Sequence, residues 1–182
     1  IKLYSFSAQS PSLFQNALKE FADSGYTKLV LDLRNNPGGY LDASVGMAGW
    51  FLPEGKVVVK EIGKTDKDVV LHKSKGPGVF SGKIQMVVLV NKGSASASEI
   101  LAGALSEHGV ATLMGEQTFG KGSVQELMKL TSDTSIKITV AKWYTPNGIS
   151  ISDNGLTPKV KLEPNKDEKK DTQLEQAINY FK

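Results

Sequence analysis

Two short stretches, Gly93-Ser94-Ala95-Ser96-Ala97-Ser98-Glu99 and Phe119-Gly120-Lys121-Gly122, hold the residue types needed for acyl transfer. A serine hydroxyl attacks a carbonyl only when a base takes its proton, and a neutral lysine can be that base. Histidine is the usual alternative, and the chain has two, His72 and His108. His108 lies at the far end of the helix expected after Ser96, ~18 Å away at 1.5 Å per residue, beyond hydrogen-bond reach. His72 follows Val69-Val70-Leu71 among lysines and reads as a solvated strand end.

A lysine is a base only when neutral. A free amine with a pKa near 10.4 reaches that state around neutral pH only through burial away from water and anions. Phe119 is placed to desolvate Lys121, and Gly120 and Gly122 let the backbone fold tightly enough to aim the side chain inward. Gln125, four residues on, could hydrogen-bond the amine without adding charge if the segment curls. The bland alternative is a surface lysine in a glycine-rich turn. Ser96 has one too: Ser96-Ala97-Ser98-Glu99 is a capping box, in which serine and glutamate satisfy each other's backbone N–H groups at a helix start. Ser94 and Ser98 remain rival nucleophiles.

The elements that must position these groups are legible around them. Met86-Val87-Val88-Leu89-Val90 is an unbroken apolar, β-branched run of the kind buried on both faces of a parallel sheet. Ile100, Leu101, Ala104 and Leu105 then share one face of a helix expected from about Ala97 to His108, stopped by Gly109. Ser96 would sit at its mouth, where first-turn N–H groups face a developing oxyanion. A second buried run, Lys28 to Leu33, leads through Arg34 into Asn35-Asn36-Pro37-Gly38-Gly39. The N–H of Gly38 or Gly39, with that of Ala97, could bind the same anion. A loop before a helix near Asp42 to Phe51, capped by Asp42, is the ordinary reading of that turn. Asp32 is either a charge in the site or a structural partner for the Arg34 neighbourhood.

Three motifs in order, Leu31-Asp32-Leu33-Arg34-Asn35-Asn36-Pro37-Gly38-Gly39, Val90 to Glu99, and Gly115-Glu116-Gln117-Thr118-Phe119-Gly120-Lys121-Gly122-Ser123-Val124-Gln125, resemble the carboxy-terminal processing (tail-specific) proteases. The resemblance covers essentially the whole chain, 1–182, as one protease core. It implies Ser96 as nucleophile, Lys121 as general base, Gln125 as the residue orienting the lysine, and Gly38 or Gly39 with Ala97 as oxyanion donors. It also implies an α/β core of the Clp-protease and crotonase type, built of repeated ββα units with additional β-hairpins. Expected partners are protein or peptide substrates cut near apolar C-terminal tails and bound as an added strand, with no metal or cofactor. The resemblance implies a PDZ domain and an N-terminal helical region ahead of this core, so the sequence reads as an excised core, and it implies export in bacteria.

Composition is consistent with an enzyme core. The 182 residues are 40% hydrophobic, long enough for one well-buried domain, and no apolar run nears the ~18 residues that cross a bilayer. Net charge is +3 without a basic stripe, which argues against nucleic acid; the mixed run Lys166-Asp167-Glu168-Lys169-Lys170 reads as a solvated linker. The absence of cysteine excludes disulfides and cysteine-based zinc sites. Two rival functions stand beside hydrolysis. Gly115 to Lys121 matches a phosphate-binding P-loop except that Gly122 replaces the Mg²⁺-binding Ser or Thr. A non-catalytic ligand-binding module on the same fold is the other.

Elsewhere the pattern predicts an opening strand at Ile1 to Tyr4 and a helix from Ser10-Pro11 to before Gly25. It predicts hairpins pairing Val57–Val59 with Val69–Leu71, and Ile136–Ala141 with Ile149–Ile151. A last helix over Asp171–Phe181 would turn Leu174, Ala177, Ile178 and Phe181 inward. Trp50 and Trp143 read as core or pocket-rim residues.

Overall fold

The computed structural model describes residues 1–65, 68–152, 154–164 and 170–182. Most of the expected linker, residues 166–169, and two residues of the first hairpin's turn lie outside them. The elements run α1 (Ser10–Asp23), β1 (Lys28–Asp32), α2 (Leu41–Ala48), β2 (Val57–Ile62), β3 (Val69–Lys73) and β4 (Gln85–Val90). They continue through α3 (Ala97–Glu107), β5 (Ala111–Gly115), β6 (Ser123–Lys129), β7 (Ser135–Tyr144), β8 (Val160–Lys161) and α4 (Thr172–Asn179).

Two four-stranded sheets result. One is parallel, in the order β1-β4-β5-β8; the other is antiparallel, in the order β3-β2-β7-β6. The central position of β4 explains its sequence. Met86, Val88 and Val90 enter the main core with Phe51, Leu101 and Leu105, while Val87 and Leu89 face Met114, Leu162 and Ala177 beneath α4. Each such side chain contributes roughly 1.5–3 kcal/mol by leaving water. A polar residue anywhere in the run would therefore break one layer or the other.

This order places three loops side by side. β1, β4 and β5 are adjacent and parallel, with Asp32 opposite Leu89 and Val90 opposite Gly115, so their C-terminal ends open on one edge. Open α/β sheets bind ligands there. From those ends leave the Gly38-Gly39 turn, the Ser96 turn and the Lys121 loop.

Several expectations are corrected. Asp42 lies inside the first turn of α2, whose N-cap is Tyr40. The opening segment makes only isolated bridges, Lys2 with Asp32 and Phe6 with Gly39. β7 pairs with β6 and β2; the expected partner at 149–151 contributes one bridge, Tyr144 to Ser150, because the run after Lys121 supplies a longer antiparallel strand. In α4, Leu174, Ala177 and Phe181 pack inward, but Ile178 is half exposed. The helix is fixed by charge as well. Asp171 caps the Leu174 N–H at 3.0 Å and grips the Arg34 guanidinium at 2.8 and 2.6 Å, while Asp32 holds that guanidinium from the other side at 2.8 and 2.7 Å. Hydrogen bonds to Asp32 and Asp171 push the Arg34 pKa further above its usual range. Asp32 is thus the structural partner of Arg34.

Candidate active site

Ser96 ends the turn between β4 and α3 with φ 56° and ψ −118°, a left-handed conformation costly for a residue with a β-carbon. Such a strained elbow lifts a side chain off the backbone and leaves it accessible. The three alternating serines are then sorted by their surroundings. Ser94 is fully buried, donating to Leu33 O at 2.8 Å and accepting from Asn91 N–H at 3.0 Å. Ser98 is fully buried too and donates to Asn36 O at 2.9 Å. Both hydroxyls are committed to the scaffold. Ser96 alone of the three is partly exposed.

The capping box is present, and it does more than cap. Glu99 is completely buried, and its carboxylate receives four donors. Oε2 accepts the N–H groups of Ser96 at 2.8 Å and Lys121 at 2.9 Å; Oε1 accepts Thr118 Oγ1–H at 2.6 Å and Gly120 N–H at 2.7 Å. A buried carboxylate is tolerable only when its lone pairs are filled in this way. Thr118 extends the chain of bonds by accepting the Leu156 N–H at 2.6 Å. Gly122 rests on the next loop so closely that a β-carbon would lie 2.3 Å from Ser152 N, so a side chain there would push the Lys121 loop away.

The Lys121 side chain does not meet the expectation of burial. Phe119 is 64% exposed, and Lys121 and Gln125 are exposed. Among the described residues no hydrogen bond joins the lysine amine to Ser96 or Gln125. The stretch does not curl: it enters β6, where Gln125 stands opposite Thr139. The same strand removes the P-loop reading, which needs a helix after the lysine so that its N-terminus can face phosphate. His108 Nε2 bonds Val57 O, and His72 pairs with Glu61 at 3.0 Å, edge-on to Trp143; neither reaches Ser96.

The glycine turn is bound tightly to the serine turn. A β-carbon on Gly38 would lie 2.7 Å from Ser96 Cβ and 2.6 Å from Ala95 O, and its φ of 96° suits glycine alone. The Gly38 N–H is taken by Asn36 Oδ1 at 2.9 Å. The N–H groups of Gly39 and Ala97 have no partner among the described residues. Asn36, Thr118 and the full reach of Glu99 were not singled out by the sequence reading. The Asn-Pro-Gly string signals a turn in which Asn bonds the N–H two residues on, but nothing in it shows what else Asn36 would touch.

The model of Peptidase family S41 matches residues 1–162. The chain belongs to peptidase family S41. A carboxy-terminal-processing protease of Bartonella bacilliformis is 40% identical over 170 residues, covering 90% of this chain and 38% of that protein. A chloroplastic C-terminal processing peptidase of Tetradesmus obliquus is 37% identical over 164 residues, 90% of this chain and 35% of its own length. The solved photosystem II D1 C-terminal processing protease superposes with a TM-score of 0.82 at 35% identity, over 90% of this chain and 42% of its own. The S41 chain therefore has the Clp-like fold and spans little more than a third of the curated relatives it matches. It is homologous to serine-type carboxy-terminal processing proteases.

Proposed function

We propose that this chain is the core of a serine endopeptidase that cuts protein substrates near apolar C-terminal tails. Lys121 takes the Ser96 hydroxyl proton as Oγ bonds to the peptide carbonyl carbon. The tetrahedral oxyanion is held by backbone N–H groups; on collapse the C–N bond breaks and the leaving amine takes the proton from Lys121. Water then opens the ester by the same relay. Gln125 orients the lysine amine.

The observation that carries this reading is the sorting of the serines: two hydroxyls are consumed by the scaffold and the third stands strained and accessible beside N–H groups that have no partner among the described residues. For the oxyanion, Gly39 and Ala97 have N–H groups with no partner among the described residues, while Gly38 shapes the turn against Ser96. Because Lys121 is exposed in the free chain, the substrate must cover it and strip its water. β6 is suited to that role: it is the edge of its sheet, starts two residues after Lys121, and can accept an added strand. As the tail's receptor we propose the pocket of about 520 Å³ beginning at Tyr40, lined by Ala8, Pro11, Leu41 and Ala43 with Ser7 and Asp42 as its polar members. Among the described residues no helix is long and apolar enough to cross a membrane. The resemblance to exported bacterial relatives makes action outside the cytoplasm part of the proposal.

Treatment with a serine-directed fluorophosphonate, followed by peptide mass mapping, tests the reading. The adduct is expected on Ser96. An adduct on Ser94 or Ser98, or none in a preparation that cleaves peptides, would sink it.

A further inference from the structure

Asn36 is completely buried, and each of its polar groups is bonded. Its N–H donates to Leu33 O at 3.2 Å, and its side-chain Nδ2 donates to Leu3 O at 2.8 Å. Its carbonyl accepts two donors from the nucleophile turn, Ala95 N–H at 3.0 Å and Ser98 Oγ–H at 2.9 Å. Its Oδ1 accepts Gly38 N–H at 2.9 Å. One residue thus grips the serine turn with its backbone and the glycine turn with its side chain. A parallel tie supports it: Asn35 N–H donates to Asn91 Oδ1 at 2.8 Å, and Asn91 Nδ2 to Asn35 Oδ1 at 3.0 Å.

We propose that Asn36 is a positioning residue that fixes the glycine turn relative to Ser96 and so aims the N–H groups that receive the oxyanion. The inference rests on the protease reading above. Its consequence is specific. An anion site out of place weakens binding where charge has developed, in the tetrahedral state, and leaves ground-state substrate binding nearly unchanged. A residue needed only for folding would reduce the fraction of active molecules without altering the turnover of each.

The experiment compares wild type, Asn36→Ala and Asn36→Ser. Active sites are titrated with fluorophosphonate, and kcat and KM are measured on an apolar-tailed peptide. Affinity is measured for the matching peptide aldehyde, whose hemiacetal oxygen occupies the anion site. For Asn36→Ala, kcat per titrated site is expected to fall at least about tenfold, with aldehyde affinity falling by the same factor and KM within about twofold. In Asn36→Ser the hydroxyl can bond the N–H two residues on, which should limit both losses to about threefold. Unchanged kcat per site and aldehyde affinity in Asn36→Ala would overturn the proposal, as would a rise in KM alone. Should Asn36→Ala not fold, wild-type values of both quantities in Asn36→Ser would overturn it. A wild-type protein that neither cleaves nor labels refutes the protease reading; an active wild type with indifferent Asn36 variants refutes this inference alone.

Discussion

The backbones of Ser96 and Lys121 hang from a single atom, Glu99 Oε2, through N–H bonds of 2.8 and 2.9 Å. The proposed nucleophile and the proposed base come from loops after different strands, and this carboxylate ties the two loops together. Both of its oxygens are filled by backbone N–H groups and the Thr118 hydroxyl, so among the described residues it binds the Lys121 loop through the backbone and not through the lysine amine.

Replacing Glu99 separates its two functions. In Glu99→Gln the amide nitrogen should turn toward Thr118, whose hydroxyl can change from donor to acceptor, leaving the Gly120 N–H unpaired. That costs about 1–3 kcal/mol and lowers Tm by roughly 2–12 °C in a chain of this length. The Ser96 and Lys121 bonds survive, and fluorophosphonate labelling should persist. Glu99→Ala removes all four bonds and should abolish labelling. Labelling of Glu99→Ala at the wild-type rate would show that the shared oxygen does not govern the site.

The serine series follows from burial. Ser96→Ala should eliminate peptide cleavage and covalent labelling while costing about 1 kcal/mol or less through the altered cap. Ser94→Ala leaves the Asn91 N–H without an acceptor and should cost about 1–3 kcal/mol; Ser98→Ala, whose carbonyl partner keeps Ala95, about 1 kcal/mol. Both should still label on Ser96. Thermal melts with mass mapping of the three variants check this, and loss of the adduct in folded Ser98→Ala would count against Ser96.

How much the sequence reveals depends on whether a signal is local. The β4 run, the Gly109 stop and the Ser96–Glu99 box are local, and each appears where its residues place it. The partner of β7 is not local: Val124-Gln125-Glu126-Leu127 alternates too weakly to announce a strand, and it is extended because β7 binds it along its length. The burial proposed for Lys121 fails for a similar reason. Phe119 is two positions away in sequence, but it is largely exposed and shields nothing there. The four donors on Glu99 come from segments about twenty residues apart, so the capping box shows one of its bonds and hides the other three.

Charge docks the last helix onto the end of β1. Arg34→Met would take from the Asp32 carboxylate, 9% exposed, the guanidinium that bonds it, and should destabilise by about 3–5 kcal/mol. Neutralising that carboxylate as well, in Asp32→Asn/Arg34→Met, should recover part of the loss. Urea unfolding of both single variants and the double variant measures the coupling. Simple additivity would mean that the ion pair is not what joins the elements.

Lys121→Arg tests whether the amine acts as a base or as a fixed cation. Arginine keeps the positive charge and the length but does not lose its proton in water or in proteins, so it cannot accept one from Ser96. The backbone N–H on Glu99 is the same in either residue, and the side chain is exposed, so the substitution should leave Tm within about 1 °C. Peptide turnover should be lost as completely as in Lys121→Ala. Gln125→Ala, which removes the group proposed to orient the amine, should lower kcat more than it changes KM. Steady-state kinetics on an apolar-tailed peptide, with active sites counted by fluorophosphonate, distinguish the outcomes. An arginine variant that retains turnover would assign Lys121 to charge stabilisation alone and would require another group to take the serine proton.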